Sequence, residues 1–137
     1  MGQLVVAADV SELDKVQDFI AGELEDLDIS PKVMYQIELA VEEIYTNISS
    51  YAYNPEVGQT TIGCSVDKDP LRVTIQFLDS GKPFDPLSRD EADTSTQALM
   101  ERTGGLGIFL VKKNMDDVEY TYEDGKNVLT ISKKLNE

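Results

Sequence analysis

Apolar residues along the chain recur with two periods, and the switches between them mark out the elements. Residues 3–8 (QLVVAA) predict a short strand. Leu13, Val16, Phe19, Ile20, Leu24 and Leu27 then recur at helical spacing, which predicts a helix to about Leu27 with Ser11 as its cap. Ser30-Pro31 opens a second helix, with serine at the cap and proline in the first turn. Val33, Ile37, Val41, Ile44 and Ile48 form its apolar stripe, and it ends before Asn54-Pro55. Two strands follow by period-two alternation, 60–67 and 71–79, joined at Lys68-Asp69-Pro70.

Residues 85–103 break the pattern. They are polar and weakly periodic, with five acids and two arginines, and a stretch of that length without pattern is usually functional or mobile. A further helix is expected after Gly107, ending near Met115. Strands 117–123 and 127–135 close the chain as a hairpin around Asp124-Gly125-Lys126. The order predicts a mostly antiparallel sheet covered on one face by helices, in a single domain spanning 1–137.

Composition narrows the chemistry. Twelve Lys and Arg against 26 Asp and Glu give a net charge of −14, which argues against nucleic acid or an anionic membrane as partner. Between Asp9 and Asp28 eight acids face one base, Lys15, and a solvated helix face explains them best. Histidine is absent and cysteine occurs once, so His-based triads, His-containing zinc sites and histidine autophosphorylation are excluded within this chain. The lone Cys64 alternates with Ile62 and Val66 as a small buried hydrophobe would, and it fits a reducing cytoplasm. No apolar run approaches a membrane span, and the N-terminus lacks the basic and apolar regions of a signal peptide.

Three short segments carry the candidate chemistry. In Glu43-Ile-Tyr-Thr-Asn47, Glu43 and Asn47 are four apart and share one helix face beside the apolar stripe. The row Glu38-Glu42-Tyr45-Ser49 is expected to face outward, so Glu43 rather than Glu42 is the candidate base. Asn47 offers a neutral amide oxygen suited to Mg2+. In Asp79-Ser-Gly-Lys-Pro-Phe84, period two places Asp79 on the face of Val73, Ile75 and Phe77. A core-directed carboxylate needs donors, and the exocyclic amine of adenine is one; Gly81 allows a flat base to approach. The ordinary alternative is a strand-ending Asp that closes a turn. In Arg102-Thr-Gly104-Gly105-Leu106-Gly107, glycines at a helix entry free backbone N–H groups for phosphate, and Arg102 can pair with a terminal phosphate. No Lys-Ser/Thr follows, so this is not a P-loop.

This ordered set resembles the N, G1 and G2 boxes of the GHKL (Bergerat-fold) ATPases, and within them the small stand-alone anti-sigma-factor serine/threonine-protein kinases. The resemblance rests on ELAVEEIYTNISSYAY, FLDSGKPFDP and GGLGIFLVKKNMDDVEYTYEDGKNVLTISKKL, and runs from about residue 31 to 135. It implies an α/β sandwich (α+β) with a mixed, mostly antiparallel sheet, helices on one face and ATP held under a lid at 87–103. It implies that Glu43 is the general base, Asn47 the Mg2+ ligand and Asp79 the partner of adenine N6, with Gly81 beside it. Gly104, Gly105, Leu106 and Gly107 would lie on the phosphates, with Arg102 before them. The family often carries Thr after the hairpin glycine; here Lys126 and Asn127 follow Gly125, and Asn127 is the candidate to take its place.

The implied activity is phosphorylation of a serine on a STAS-domain, anti-anti-sigma-like protein, with sequestration of a sigma factor and homodimerisation. Two alternatives stand beside it. One is an ATP-sensing binding module without transfer, against which a positioned Glu43 argues. The other is a detached histidine-kinase ATPase domain acting in trans, against which the absence of a dimerisation helix argues.

Overall fold

The computed structural model describes residues 2–49, 58–68, 70–81 and 105–135, with the side chains of 105–109 left aside. Strand β1 (Gly2–Ala7) leads through a 3-10 turn (Val10–Glu12) into helix α1 (Leu13–Leu24) and then α2 (Pro31–Asn47). Strands β2 (Gln59–Lys68) and β3 (Leu71–Asp79) follow. Helix α3 (Gly105–Asn114) and the hairpin β4 (Asp117–Glu123) and β5 (Lys126–Lys134) complete the order. The strands form one sheet, β1-β2-β3-β5-β4, and every pairing among the described residues is antiparallel.

The helix-covered face of the sheet carries the core. Ile62 and Cys64 of β2, Val73, Ile75 and Phe77 of β3, and Leu129 and Ile131 of β5 meet Val16 and Ile20 of α1 and Val33, Ile37, Val41 and Ile44 of α2. Cys64 lies in this layer, and burial pushes its thiol up to about 11, so it behaves as a core hydrophobe and not as a nucleophile. Asp14, Asp18, Glu25, Asp26 and Asp28 are exposed, as a solvated helix face requires. Among the described residues no helix is long and apolar enough to cross a membrane.

Local chemistry explains the element ends. Ser30 Oγ accepts from Val33 N–H at 3.2 Å and Pro31 occupies the first turn of α2, as the sequence predicts. Ser11 does not cap α1. Asp9, in extended conformation, accepts from Ser11 N–H at 2.9 Å and starts a 3-10 turn, so α1 begins at Leu13; it ends at Leu24, short of Leu27. Helix α3 starts at Gly105 and not after Gly107, because glycines are tolerated in a first turn whose N–H groups have no helical partner. Asp124 and Gly125 have φ of 53° and 76°, the two-residue turn whose twist matches a hairpin. Lys126 is therefore the first residue of β5 and not part of the turn.

One outward assignment is overturned. Tyr45 is fully buried, although Glu38 and Glu42 on the same expected row are exposed. Tyr45 sits four residues after Val41 and continues the core stripe, and its ring is apolar enough to stay there once its hydroxyl finds partners.

Candidate functional site

Asp79 ends β3 on the core-facing row and is 5% exposed. Its Oδ1 accepts from Gly81 N–H and from Asn127 Nδ2, both at 2.9 Å. The first bond closes a turn of the kind a strand-ending Asp makes, so that ordinary role is realised here. It does not exhaust the side chain: both bonds fall on Oδ1, and Oδ2 receives none among the described residues. Burial raises the Asp79 pKa, and the bonds from Asn127 and Gly81 pull it back down. A buried carboxylate with one pinned and one open oxygen is an acceptor for a donor that fits against it.

Asn127 faces Asp79 directly across the β3–β5 ladder, and Thr60 faces it across the β2–β3 ladder. Thr60, Asp79 and Asn127 thus form one buried polar row over three strands. Asn127 Oδ1 accepts from the hydroxyl of Tyr120, while Thr60 Oγ1 is buried without a partner among the described residues. Tyr120 and Thr60 were not among the sequence candidates. Period two from Val118 is a signal that would put Tyr120 inward, but its meeting with Asn127 depends on the hairpin register.

Glu43 and Asn47 lie on α2 as the four-residue spacing requires. Both are half-buried, and Glu42 beside them is exposed. Desolvation raises the Glu43 pKa, and the neighbouring Glu42 charge raises it further, which makes Glu43 a stronger base than an ordinary glutamate. Asn47 Nδ2 is buried and has no hydrogen-bond partner among the described residues. Because amide oxygen and nitrogen are interchangeable in orientation, Asn47 can present Oδ1 at that place, as a Mg2+ ligand must. Among the described residues no three His, Cys, Asp or Glu gather at one point.

Among the described residues no hydrogen bond joins the α2 pair to Asp79, yet both lie at one end of the sheet. Tyr45, between Glu43 and Asn47, donates to Ala7 O at the end of β1. Ala7 pairs with Gln59, one step along β2 from the Thr60–Asp79–Asn127 row. The C-terminal part of α2 is therefore fastened over the sheet end that carries Asp79.

Helix α3 packs on α2 and is anchored at the opposite end of the sheet, where Lys133 Nζ donates to Asn114 O at 2.8 Å and Asp116 N–H to Ser132 O at 3.0 Å. Gly105, Leu106 and Gly107 lie in its first turn, roughly 15 Å from that anchor by the rise of ten helical residues. Backbone N–H groups of a first helical turn are open to an anion. Arg102, Gly104 and the lid 87–103 lie outside the described residues.

Residues 6–133 match the family model of the histidine kinase-like ATPase domain. The chain is 34% identical over 113 residues to the serine-protein kinase RsbW of Listeria monocytogenes, covering 79% of this chain and 70% of that one. It is 32% identical over 97 residues to the serine-protein kinase RsbW of Bacillus cereus, covering 68% and 59% respectively. Among solved structures it resembles that of the RsbU and RsbW domains of Rv1364c from Mycobacterium tuberculosis, with a TM-score of 0.66 at 13% identity over 98% of this chain and 33% of that one. The histidine kinase domain of a blue-light activated kinase from Erythrobacter litoralis gives a TM-score of 0.58 at 15% identity, over 92% and 60%. At such identities the structural likeness speaks to the fold alone.

Proposed function

The chain belongs to the histidine kinase-like ATPase domain family, and from that premise we propose that it is an ATP-dependent serine/threonine-protein kinase acting on a STAS-type, anti-anti-sigma-like protein. Its other proposed partner is a sigma factor, sequestered when the antagonist is phosphorylated. The observation that carries the reading is the half-buried Glu43, with its raised pKa, on a helix end fastened above the sheet end that carries Asp79. Pure nucleotide binding needs the second residue and not the first.

In this reading Asp79 Oδ2 accepts from the 6-amino group of adenine, and Gly81, whose N–H is already engaged, lets the base lie flat against it. The first turn of α3, with Gly105, Leu106 and Gly107, meets the phosphates, and Gly104 and Arg102 continue that contact. Bound Mg2+ would neutralise phosphate charge, with Asn47 as its protein ligand. Glu43 accepts the proton of the partner's serine hydroxyl. The serine oxygen forms its bond to the γ-phosphorus as the bond from that phosphorus to the β,γ-bridging oxygen breaks, and ADP leaves with that electron pair.

The test is transfer of labelled phosphate from ATP to a purified STAS-domain protein. Phosphoserine on that protein, lost with Glu43→Gln, is the expected result. ATP-dependent capture of the STAS protein without transfer would replace the kinase by a nucleotide-sensing regulator.

A further inference from the structure

A carboxylate selects a base only if its orientation is set, and the buried polar row sets that of Asp79 from one side. On the β2 side Thr60 faces Asp79 but its Oγ1 bonds to nothing among the described residues. On the β5 side Asn127 Nδ2 donates to Oδ1, the same oxygen that accepts from Gly81 N–H. Asp79 is thus oriented by two donors, one of them a side chain.

That side chain has an orientation problem of its own. An amide is nearly symmetric in shape, so either end of Asn127 fits toward Asp79, yet only the Nδ2 end donates. With the Oδ1 end inward, two acceptors would face each other in a buried site, and the Asp79 carboxylate would turn away or take up a proton. The hydroxyl of Tyr120 donates to Asn127 Oδ1 from the far side. A phenol hydroxyl carries one proton, and here that proton marks which end of the amide is oxygen. Tyr120 comes from the edge strand β4, across the hairpin from β5, and reaches Asn127 as a diagonal neighbour, since its directly opposed residue is Leu129.

We propose that Tyr120 is a positioning residue for nucleotide selection, which locks the amide of Asn127 so that Asp79 presents a free acceptor to the 6-amino group of adenine. The inference rests on the reading of Asp79 as the adenine partner and adds the relay Tyr120–Asn127–Asp79 behind it. Tyr120 touches no nucleotide in this scheme. Its influence passes through a hydrogen-bonded chain that crosses three strands, β4, β5 and β3. Specificity of this kind is large when a site built to pair a substrate amine is left unpaired by an analogue.

The experiment measures the affinity of the full chain for ATP and for purine riboside triphosphate, which lacks the 6-amino group, by calorimetry with Mg2+. Wild type, Tyr120→Phe, Asn127→Ala and the double variant are compared, and thermal melts check that each is folded. Tyr120→Phe is expected to weaken ATP about tenfold while purine riboside triphosphate changes by less than about twofold, the scale for one lost buried hydrogen bond. In the Asn127→Ala background, Tyr120→Phe should change neither nucleotide further, because the relay is already cut. If Tyr120→Phe weakens both nucleotides equally, Tyr120 merely packs the hairpin and the inference is overturned. It is also overturned if the substitution has the same effect with and without Asn127. A wild type that binds ATP no better than the analogue overturns the base-selection reading of Asp79 itself. A wild type that binds ATP selectively but ignores Tyr120→Phe leaves that reading intact and removes only the relay.

Discussion

The hydroxyl of Tyr45 donates to the carbonyl of Ala7 at 2.6 Å, and the same oxygen accepts from Asp9 N–H at 3.2 Å, with Asp9 O a further 2.8 Å neighbour. One buried phenol therefore ties α2 to the last residue of β1 and to the turn that starts α1. Glu43 and Asn47 lie two residues to either side of it, so the placement of base and metal-ligand candidate over the sheet end depends on a group that touches neither.

Removing that hydroxyl should be costly. Tyr45→Phe keeps the ring in the core but removes the hydroxyl's bonds to Ala7 O and Asp9 N–H, which keep the 2.8 Å bond between them. A loss of about 0.5–1.5 kcal/mol is expected in urea unfolding, the net scale of a lost hydrogen bond. The denaturant slope should not change. A variant as stable as wild type would mean that water replaces the phenol at the strand end.

Transfer should fall off on the acid side through Glu43. Its folded pKa is raised, first by desolvation and then by Glu42, and only the deprotonated form can act as base. Activity should therefore rise with pH to a plateau, with a midpoint above the ordinary glutamate value of 4.5. Glu42→Gln removes the second cause and should move that midpoint to lower pH while leaving the plateau close to wild type. Glu43→Gln should lower the plateau by roughly 10²–10⁴-fold. A dead Glu42→Gln beside an active Glu43→Gln would reverse the assignment.

Asp79→Asn has a defined outcome because one side of the carboxylate is already occupied. Gly81 N–H and Asn127 Nδ2 both donate to Oδ1, so the new amide oxygen must take that place. Its NH2 then faces where the 6-amino group of adenine would lie, donor against donor. ATP affinity should drop roughly tenfold or more, whereas ITP, with an acceptor at that position, should lose less. An equal loss for both nucleotides would argue that Asp79 serves folding and not base selection.

How much of this was legible follows from what periodicity can encode. Period two and the i,i+4 rule report which face a residue takes, so the core-facing side of Asp79 and the shared helix face of Glu43 and Asn47 are legible in the sequence. The Ser30-Pro31 helix start was equally plain, because capping is local chemistry. Neighbour relations are not local. Nothing in the strand patterns tells that β5 inserts between β3 and β4, and without that order Asn127 cannot be set opposite Asp79 nor Tyr120 behind it. Tyr45 was misplaced because an amphipathic side chain was assigned by the charged company it keeps on its row, while its ring follows Val41 into the core. Arg102, Gly104 and the expected lid lie outside the described residues, and hydrogen exchange with and without ATP is the direct way to examine 87–103.

Lys133 carries the last prediction. It is 4% exposed on the core-facing side of β5, and its ammonium donates to the carbonyl of Asn114 at the end of α3. A cation there satisfies an open carbonyl and opposes the negative end of the helix dipole. The stem of the side chain supplies apolar packing, which Met retains. Lys133→Met thus separates charge from volume. It should weaken the anchor of α3 without opening a cavity, at about 1–2 kcal/mol in urea unfolding. Because the first turn of α3 is the proposed phosphate contact, ATP affinity should fall with it, and adenosine affinity, which needs no phosphate, should not. Equal losses for ATP and adenosine would place the effect in the sheet and not in the helix.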